Sequence, residues 1–283
     1  MISKAKTFGA VSVLNGIFLG IGASMAIDLK VEVECKTIEE PIVLFDIKLI
    51  NDTEKVDSKL IFACFDVIKE KFNYKKGFKL KIYSEIPPSR GLKSSSAVGN
   101  ALIKSMLSAL EIKATRLEIA KLCVDACKKA KITITGAFDD ACATIMGGLY
   151  LVNNTSQEII TKYEIGEYNV VIGYSNSTIK KESINLMKFQ NVNNLAIQAY
   201  KLILKGDWAS AMNINSSLVA VALNLDLKPV KLALENGALA STISGTGPAV
   251  VAVTKEADAV SNFWKELGLK TIISSTRGFV NDN

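Results

Sequence analysis

The 283-residue sequence predicts an α+β protein of two domains, residues 1–153 and 154–283. Three observations carry that expectation. Stretches of alternating polarity, such as Asp28–Glu34 and Phe78–Glu85, read as half-buried strands. Other segments repeat apolar residues at three and four, the mark of an amphipathic helix. Polar, turn-rich sequence from Asn153 to Gly166 then divides the chain. Hydrophobic content of 49% with 22% charged residues suits a globular chain with a substantial core, and no low-complexity tract argues for disorder.

Residues 8–27 carry no charge, and Lys4 and Lys6 precede them. That pattern resembles a signal peptide, and its length would allow a membrane span. Against both, Asn15 and Gly9, Gly16, Gly20 and Gly22 interrupt the run, which leads straight into the alternating stretch at Asp28. A buried strand, a glycine-rich turn and a second strand are expected, with no membrane. Asn15, Gly16, Gly20 and Gly22 then offer backbone that can approach a ligand, or serve the turn alone.

Ile42–Ile50 is strand-like, Asn51–Asp57 is a polar turn, and Asp57 or Ser58 caps a helix through Phe72 with Ile61, Phe65 and Ile68 on one face. The strand at Phe78–Glu85 delivers the chain to Glu85-Ile-Pro-Pro-Ser-Arg-Gly-Leu-Lys-Ser-Ser-Ser-Ala97. Two prolines stop what precedes them, Gly91 frees a turn, and Ala97, Val98, Ala101, Leu102, Met106 and Leu110 trace a helix starting at the serines. A small-residue loop entering a helix leaves unpaired N–H groups at the positive end of the dipole. Serine hydroxyls there can bond phosphate oxygens or ligate Mg²⁺. The alternative is an ordinary serine N-cap, for which one serine suffices.

Thr115-Arg-Leu-Glu118 is a capping box opening a helix to about Lys129. In Thr133-Ile-Thr-Gly-Ala-Phe-Asp-Asp140 two adjacent acids open an apolar, small-residue segment. Capping accounts for one acid; the second leaves chemistry open. Leu149–Val152 and Tyr168–Tyr174 read as strands, and helices are expected at 192–204, 208–223 (capped by Asp207), 229–235 and 257–267. Ala238–Ile243 and Ala249–Val253 flank the loop Ser244-Gly-Thr-Gly-Pro248, and Lys270–Ser275 is a last strand.

Composition removes several function classes. The net charge of +6 is spread along the chain and aromatics are not interleaved with it, so nucleic-acid binding has no support. A positive balance favours anionic small molecules. Five scattered cysteines (Cys35, Cys64, Cys123, Cys127, Cys142) read as reduced, buried thiols of a cytoplasmic protein. Histidine is absent, so Ser-His, Cys-His and His-metal chemistry is excluded and any base is a carboxylate, lysine, tyrosine or cysteine. There is no GxxxxGK[ST] and no GxGxxG between strand and helix.

Taken together the loops resemble the GHMP kinases. Pro87-Pro-Ser-Arg-Gly-Leu-Lys-Ser-Ser-Ser-Ala97 fits that family's PxxxGLxSSxA at each fixed position, Gly136-Ala-Phe-Asp139 is similar to its Gly-x-x-Asp segment, and Ser244-Gly-Thr-Gly-Pro248 to its C-terminal glycine loop. The resemblance implies a ribosomal S5-like N-terminal and a ferredoxin-like C-terminal domain. It implies ATP with Mg²⁺, cradled by Pro87, Arg90, Gly91, Leu92, Ser94, Ser95, Ser96 and Ala97, with Ser95 or Ser96 touching the metal and Asp125 as an acidic metal ligand. Asp139 would be the catalytic carboxylate and Asp140 its helper or a cap. Asn15, Gly20, Gly22, Ser244, Gly245, Thr246 and Gly247 would close on the substrate or terminal phosphate. Within the family the sequence is most similar to the archaeal shikimate kinases, on Thr135–Ala141 with Gly147-Gly148 and on Gly20-x-Gly22 followed by Asp28-Leu29. That implies ATP-dependent phosphorylation of shikimate, with a homodimer allowed. Ile21 stands where a basic residue is expected, so the cation for the substrate carboxylate is sought at Lys4, Lys6, Arg90 or Arg277. A homoserine or mevalonate-pathway kinase, and a non-catalytic metabolite sensor, stay open as alternatives.

Overall fold

An 18-residue strand, β2 (Ile21–Ile38), is the spine of the first sheet. The structure is a computed structural model that describes residues 2–50, 58–175 and 192–281. Strand β1 (Ile2–Leu14) runs antiparallel along one edge of β2, from Ile2 opposite Lys36 to Leu14 opposite Ala23. The other edge is shared. β4 (Gly77–Ser84) takes Val31–Ile38, and β5 (Leu149–Asn153) takes Ile21–Met25. β3 (Val43–Leu49) lies parallel to β4 at the outside. The uncharged run of residues 8–27 is therefore the end of one strand, a turn and the start of the next. It lacks charge because both faces of those strands are covered: Ala10, Val11, Val13, Leu14, Ala23, Met25, Ala26 and Ile27 are wholly buried.

Helices α1 (Lys59–Phe72), α2 (Ser94–Ala109), α3 (Arg116–Lys129) and α4 (Phe138–Met146) pack together, with α2 and α4 lying on β1 and β2. Ile61, Phe65 and Ile68 of α1 are buried as their spacing requires. The capping box forms: Glu118 N donates to Thr115 Oγ1 at 3.2 Å while Thr115 N donates to the Glu118 carboxylate at 2.7 Å. The expected polar turn at Asn51–Asp57 lies outside the described residues.

The polar stretch from Asn153 to Gly166 holds a strand. β6 (Glu158–Tyr163) falls inside the supposed linker and pairs with β5, so the first sheet, ordered β3-β4-β2-β5-β6, continues to Tyr163. Its adjacent Ile159 and Ile160 are similarly exposed, so this edge strand shows no period of two.

The second sheet contains β7 (Asn169–Tyr174), β8 (Ala240–Ile243), β9 (Val250–Thr254) and β10 (Lys270–Ser275), antiparallel in the order β10-β7-β9-β8. Numbered within the lobe that is 4-1-3-2, the ferredoxin-like arrangement. Helices α5 (Asn193–Leu204), α6 (Trp208–Leu223) and α7 (Lys228–Glu235) precede β8, and α8 (Ala257–Glu266) precedes β10. Asp207 caps α6, accepting from Ser210 N at 3.1 Å. After β10 the chain returns to the first lobe. Arg277 N donates to Ala26 O, Gly148 N to Arg277 O, and Val280 N to Met146 O, which fastens the far end of α4. Among the described residues no helix is long and apolar enough to cross a membrane.

Candidate active site

The first turn of α2 is not capped by serine. Its N-cap is Lys93, in the left-handed region at φ 61°, and no side chain caps the helix there. The first N–H groups of α2 thus have no partner within the helix. Ser94 and Ser95 are half-buried, whereas Ser96 is buried. Pro87, Leu92 and Ala97 are buried too, and so anchor the loop.

This loop is fastened to the glycine loop of the second lobe. Ser244 Oγ donates to Gly91 O at 2.8 Å and accepts from Ser12 N at 3.1 Å. Gly245 N donates to Ser12 Oγ at 3.0 Å. Asn15 joins the knot: its Nδ2 donates to Gly245 O at 2.7 Å, its Oδ1 accepts from Ile17 N at 3.1 Å, and its own N–H is held by Asn215 Oδ1 at 2.8 Å. Gly91, at φ +84°, has to be glycine, because any Cβ would strike the Ser244 carbonyl. Asn15 and Ser244, expected to face the substrate, spend their polar atoms holding loops together. Gly245 and Thr246 remain partly exposed at the surface of the knot.

Behind it stands α4. Neither acid caps this helix. Its N-cap is Ala137, and the first two N–H groups are met from a distance by Asn154 Oδ1, which accepts from Phe138 N at 2.6 Å and Asp139 N at 3.2 Å. Asp139 and Asp140 are 4% and 9% exposed. The buried Ser24 hydroxyl sits between them, 3.0 Å from Asp139 Oδ2 and 2.6 Å from Asp140 Oδ1. Its single proton serves one carboxylate at a time. Lys93 reaches in from the serine loop and pairs with Asp140 at 2.9 Å.

These contacts set the chemistry of Asp139. Burial, then the neighbouring Asp140 charge, push its carboxyl up to about 7; Lys93, Ser24 and Asn154 pull it back only in part. A buried acid poised near neutrality beside unpaired N–H donors is equipped to take a proton from an alcohol while those donors hold phosphate.

Two family patterns match the chain: "GHMP kinases N terminal domain" over residues 59–148 and "GHMP kinases C terminal" over 199–270. The chain is a GHMP kinase. As such it is an ATP-dependent phosphotransferase. It is similar to the shikimate kinase of Pyrococcus furiosus, at 38% identity over 98% of this chain and 100% of that one. The shikimate kinase of Thermococcus kodakarensis is 35% identical over 94% of this chain and 97% of its own. Among solved structures, the homoserine kinase of Cytophaga hutchinsonii superposes with a TM-score of 0.74, covering 98% of this chain and 95% of that one; at 16% identity it speaks for the fold alone.

Several expected site residues of this GHMP kinase lie elsewhere. Lys4 and Lys6 pair with Glu34 and Glu32 on the outer part of β1–β2, eight and six residues up the strand from Ser12, or roughly 20–27 Å at strand rise. Arg277 stacks its guanidinium 4.6 Å from the Phe8 ring centroid, beside Ala26 rather than Ser24. Arg90 is buried, 6.0 Å from the Tyr174 ring centroid at the seam of the lobes. Asp125 is exposed, and it sits two residues, about 200° of helix, from Cys123, whose thiol meets Ser96 O. It therefore points away from the serine loop. Gly16 and Gly22 offer no ligand a berth, since the Asn154 amide and the Asp139 carboxylate already fill the space a Cβ would need; Gly20 (φ +68°) makes the turn and its carbonyl accepts from Asn154 N. Lys93, Ser24, Asn154 and Asn215 were not singled out from sequence. Lys93 stands in plain view at a variable position of the loop; Asn215 is one of several polar residues of α6, and nothing local marks it, Ser24 or Asn154.

Proposed function

We propose that this GHMP kinase transfers the γ-phosphoryl group of ATP to shikimate, giving shikimate 3-phosphate in aromatic amino-acid (chorismate) biosynthesis. The observation that carries the choice of alcohol is the full-length likeness to shikimate kinases, at 38% identity in the first case above. The site supports the reaction type. The N–H groups at the start of α2, with the Ser94 and Ser95 hydroxyls, take the phosphates, and Gly245 to Gly247 close over them from the other lobe. Asp139 accepts or orients the substrate hydroxyl proton; the Asn154 cap fixes its backbone, and the Ser24 hydroxyl lies 3.0 Å from its carboxyl.

Among the described residues no three acidic or thiol side chains cluster as a ready-made metal cage. That fits Mg²⁺, which keeps much of its water and arrives on the substrate phosphates. Ser95 is the half-buried hydroxyl that would touch it; when bound, the ion neutralises phosphate charge. Five free, buried cysteines support a cytoplasmic setting. The test is a panel of shikimate, homoserine, mevalonate and phosphomevalonate with ATP, read by ADP release. Shikimate should exceed the others by at least tenfold in kcat/KM; preference for another alcohol overturns the substrate, and tight ATP binding with no turnover on any of them overturns the kinase.

A further inference from the structure

Among the described residues the cation nearest the acidic pair is Lys93, and its placement is unusual for a mere counter-ion. Its backbone holds φ 61°, a conformation that side-chain-bearing residues adopt at a cost. Were position 93 needed only to turn the chain into α2, glycine would do so without strain. The side chain then crosses from the helix start to Asp140, with Nζ 2.9 Å from Asp140 Oδ1 and only 10% of the side chain exposed. On the way it passes the glycine loop, where a Cβ on Gly245 would sit 3.8 Å from Nζ. The ammonium therefore stands between the donors that hold phosphate and the carboxylate that faces the alcohol. Its partner is not dependent on it. Asp140 also accepts from Ser24 at 2.6 Å, so the ammonium can turn toward a phosphate without leaving Asp140 bare.

We propose that Lys93 is a second catalytic residue of this kinase, contacting an oxygen of the phosphoryl group in transit, with Asp140 as the positioning residue that parks it. The inference rests on the kinase reading above. In the step itself the substrate oxygen forms a bond to the γ-phosphorus. The bond from that phosphorus to the β,γ-bridging oxygen breaks, and its electron pair leaves with ADP. The hydroxyl proton passes to the ionised Asp139 carboxylate. Lys93 exchanges no proton; it balances charge on the equatorial oxygens and leaves the count of atoms unchanged.

The experiment uses the full chain with ATP and shikimate, and compares wild type, Lys93→Met, Lys93→Arg, Asp140→Asn and the double variant K93M/D140N, with thermal melting to confirm folding. Lys93→Met should lower kcat by about 10²- to 10³-fold, the range seen when one donor to transition-state charge is deleted. KM for shikimate should stay within about threefold, and Lys93→Arg should recover at least tenfold of the loss. Should Lys93→Met not fold, the double variant has no stranded charge and takes its place, read against Asp140→Asn. A folded Met variant within threefold of wild type overturns the proposal. So does an Arg variant no better than Met, or a double variant as active as Asp140→Asn, since each makes Lys93 a counter-ion only. A wild-type chain that phosphorylates none of the four alcohols removes the kinase reading instead, and Lys93 with it.

Discussion

Gly22→Ala is the substitution in which packing and catalysis meet most directly. Gly22 lies in extended backbone, so alanine brings no conformational penalty there and only space matters. A Cβ at this position would lie 2.6 Å from Asp139 Oδ2, 2.7 Å from its Cγ and 2.7 Å from Asn154 Nδ2, where ordinary contact begins at 3.4 Å. The carboxyl must therefore retreat by 3.4 minus 2.6, about 0.8 Å. It has no soft direction to take, because the Ser24 hydroxyl lies 3.0 Å from its oxygen and Asn154 holds the backbone beneath it. A misplacement near 1 Å costs on the order of 10²-fold in rate, or about 2.7 kcal/mol of barrier. Overfilling a tight core site costs a further ~1–3 kcal/mol of stability, which lowers Tm by roughly 2–4 °C per kcal/mol. The assay is ADP release with saturating ATP and shikimate, alongside a thermal melt. Gly166→Ala is the control, since its nearest neighbour, Tyr168 Cε2, is an ordinary 3.5 Å away. If Gly22→Ala keeps kcat within threefold while the control behaves as wild type, Asp139 is not held where its position governs the reaction.

Three further outcomes follow from the same geometry. Asp139→Asn should lower kcat by about 10²- to 10⁴-fold with the fold intact, and a loss under threefold removes it from the mechanism. Because burial lifts the Asp139 carboxyl from 3.8 to about 7, the folded state keeps a proton that the unfolded chain gives up; the resulting burden is absent below pH 3.8, grows as pH rises, and is complete above about 7. Asp139→Asn should thus melt higher than wild type at about pH 8 and lose that advantage toward about pH 4, while wild-type kcat falls as pH drops through about 7; equal melting at both ends would contradict the burial argument. Asn154→Ala strands the Phe138 and Asp139 N–H groups and should cost about 1–3 kcal/mol in denaturant titration, with an unchanged midpoint showing that the cap is dispensable.

The pieces visible in sequence were those with a local cause. The Thr115–Glu118 box, the Asp207 cap and the helix at the serines each follow from residues within one turn, and each stands where its own sequence put it. The three loops were also legible as loops, because glycine and proline punctuate them. What each polar group would touch was not. Asn15 and Ser244 looked like ligand groups until their partners, 230 and 153 positions away, were seen to be Gly245 O and Gly91 O. The cap of α4 was sought on Asp139 or Asp140 and came instead from Asn154, beyond β5. Charge misled in the same way. Lys4 and Lys6 are cations next to an uncharged run, yet strand rise carries them away from the site, while Lys93 sits inside a pattern that permits any residue there. Pairing across a fold decides these cases, and no spacing rule reaches that far.

The knot between Ser12 and the Ser244–Gly245 pair spans 232 and 233 positions. A chain emerging from the ribosome carries its first strand, its serine loop and both acids long before the segment that ties them into a mouth. Such widely separated closures form late and slowly. Premature termination anywhere before Ser244 therefore yields a fragment whose serine loop lacks its fastening to the second lobe. Closure of the mouth thus waits on Ser244 and Gly245, however much of the first lobe is already made.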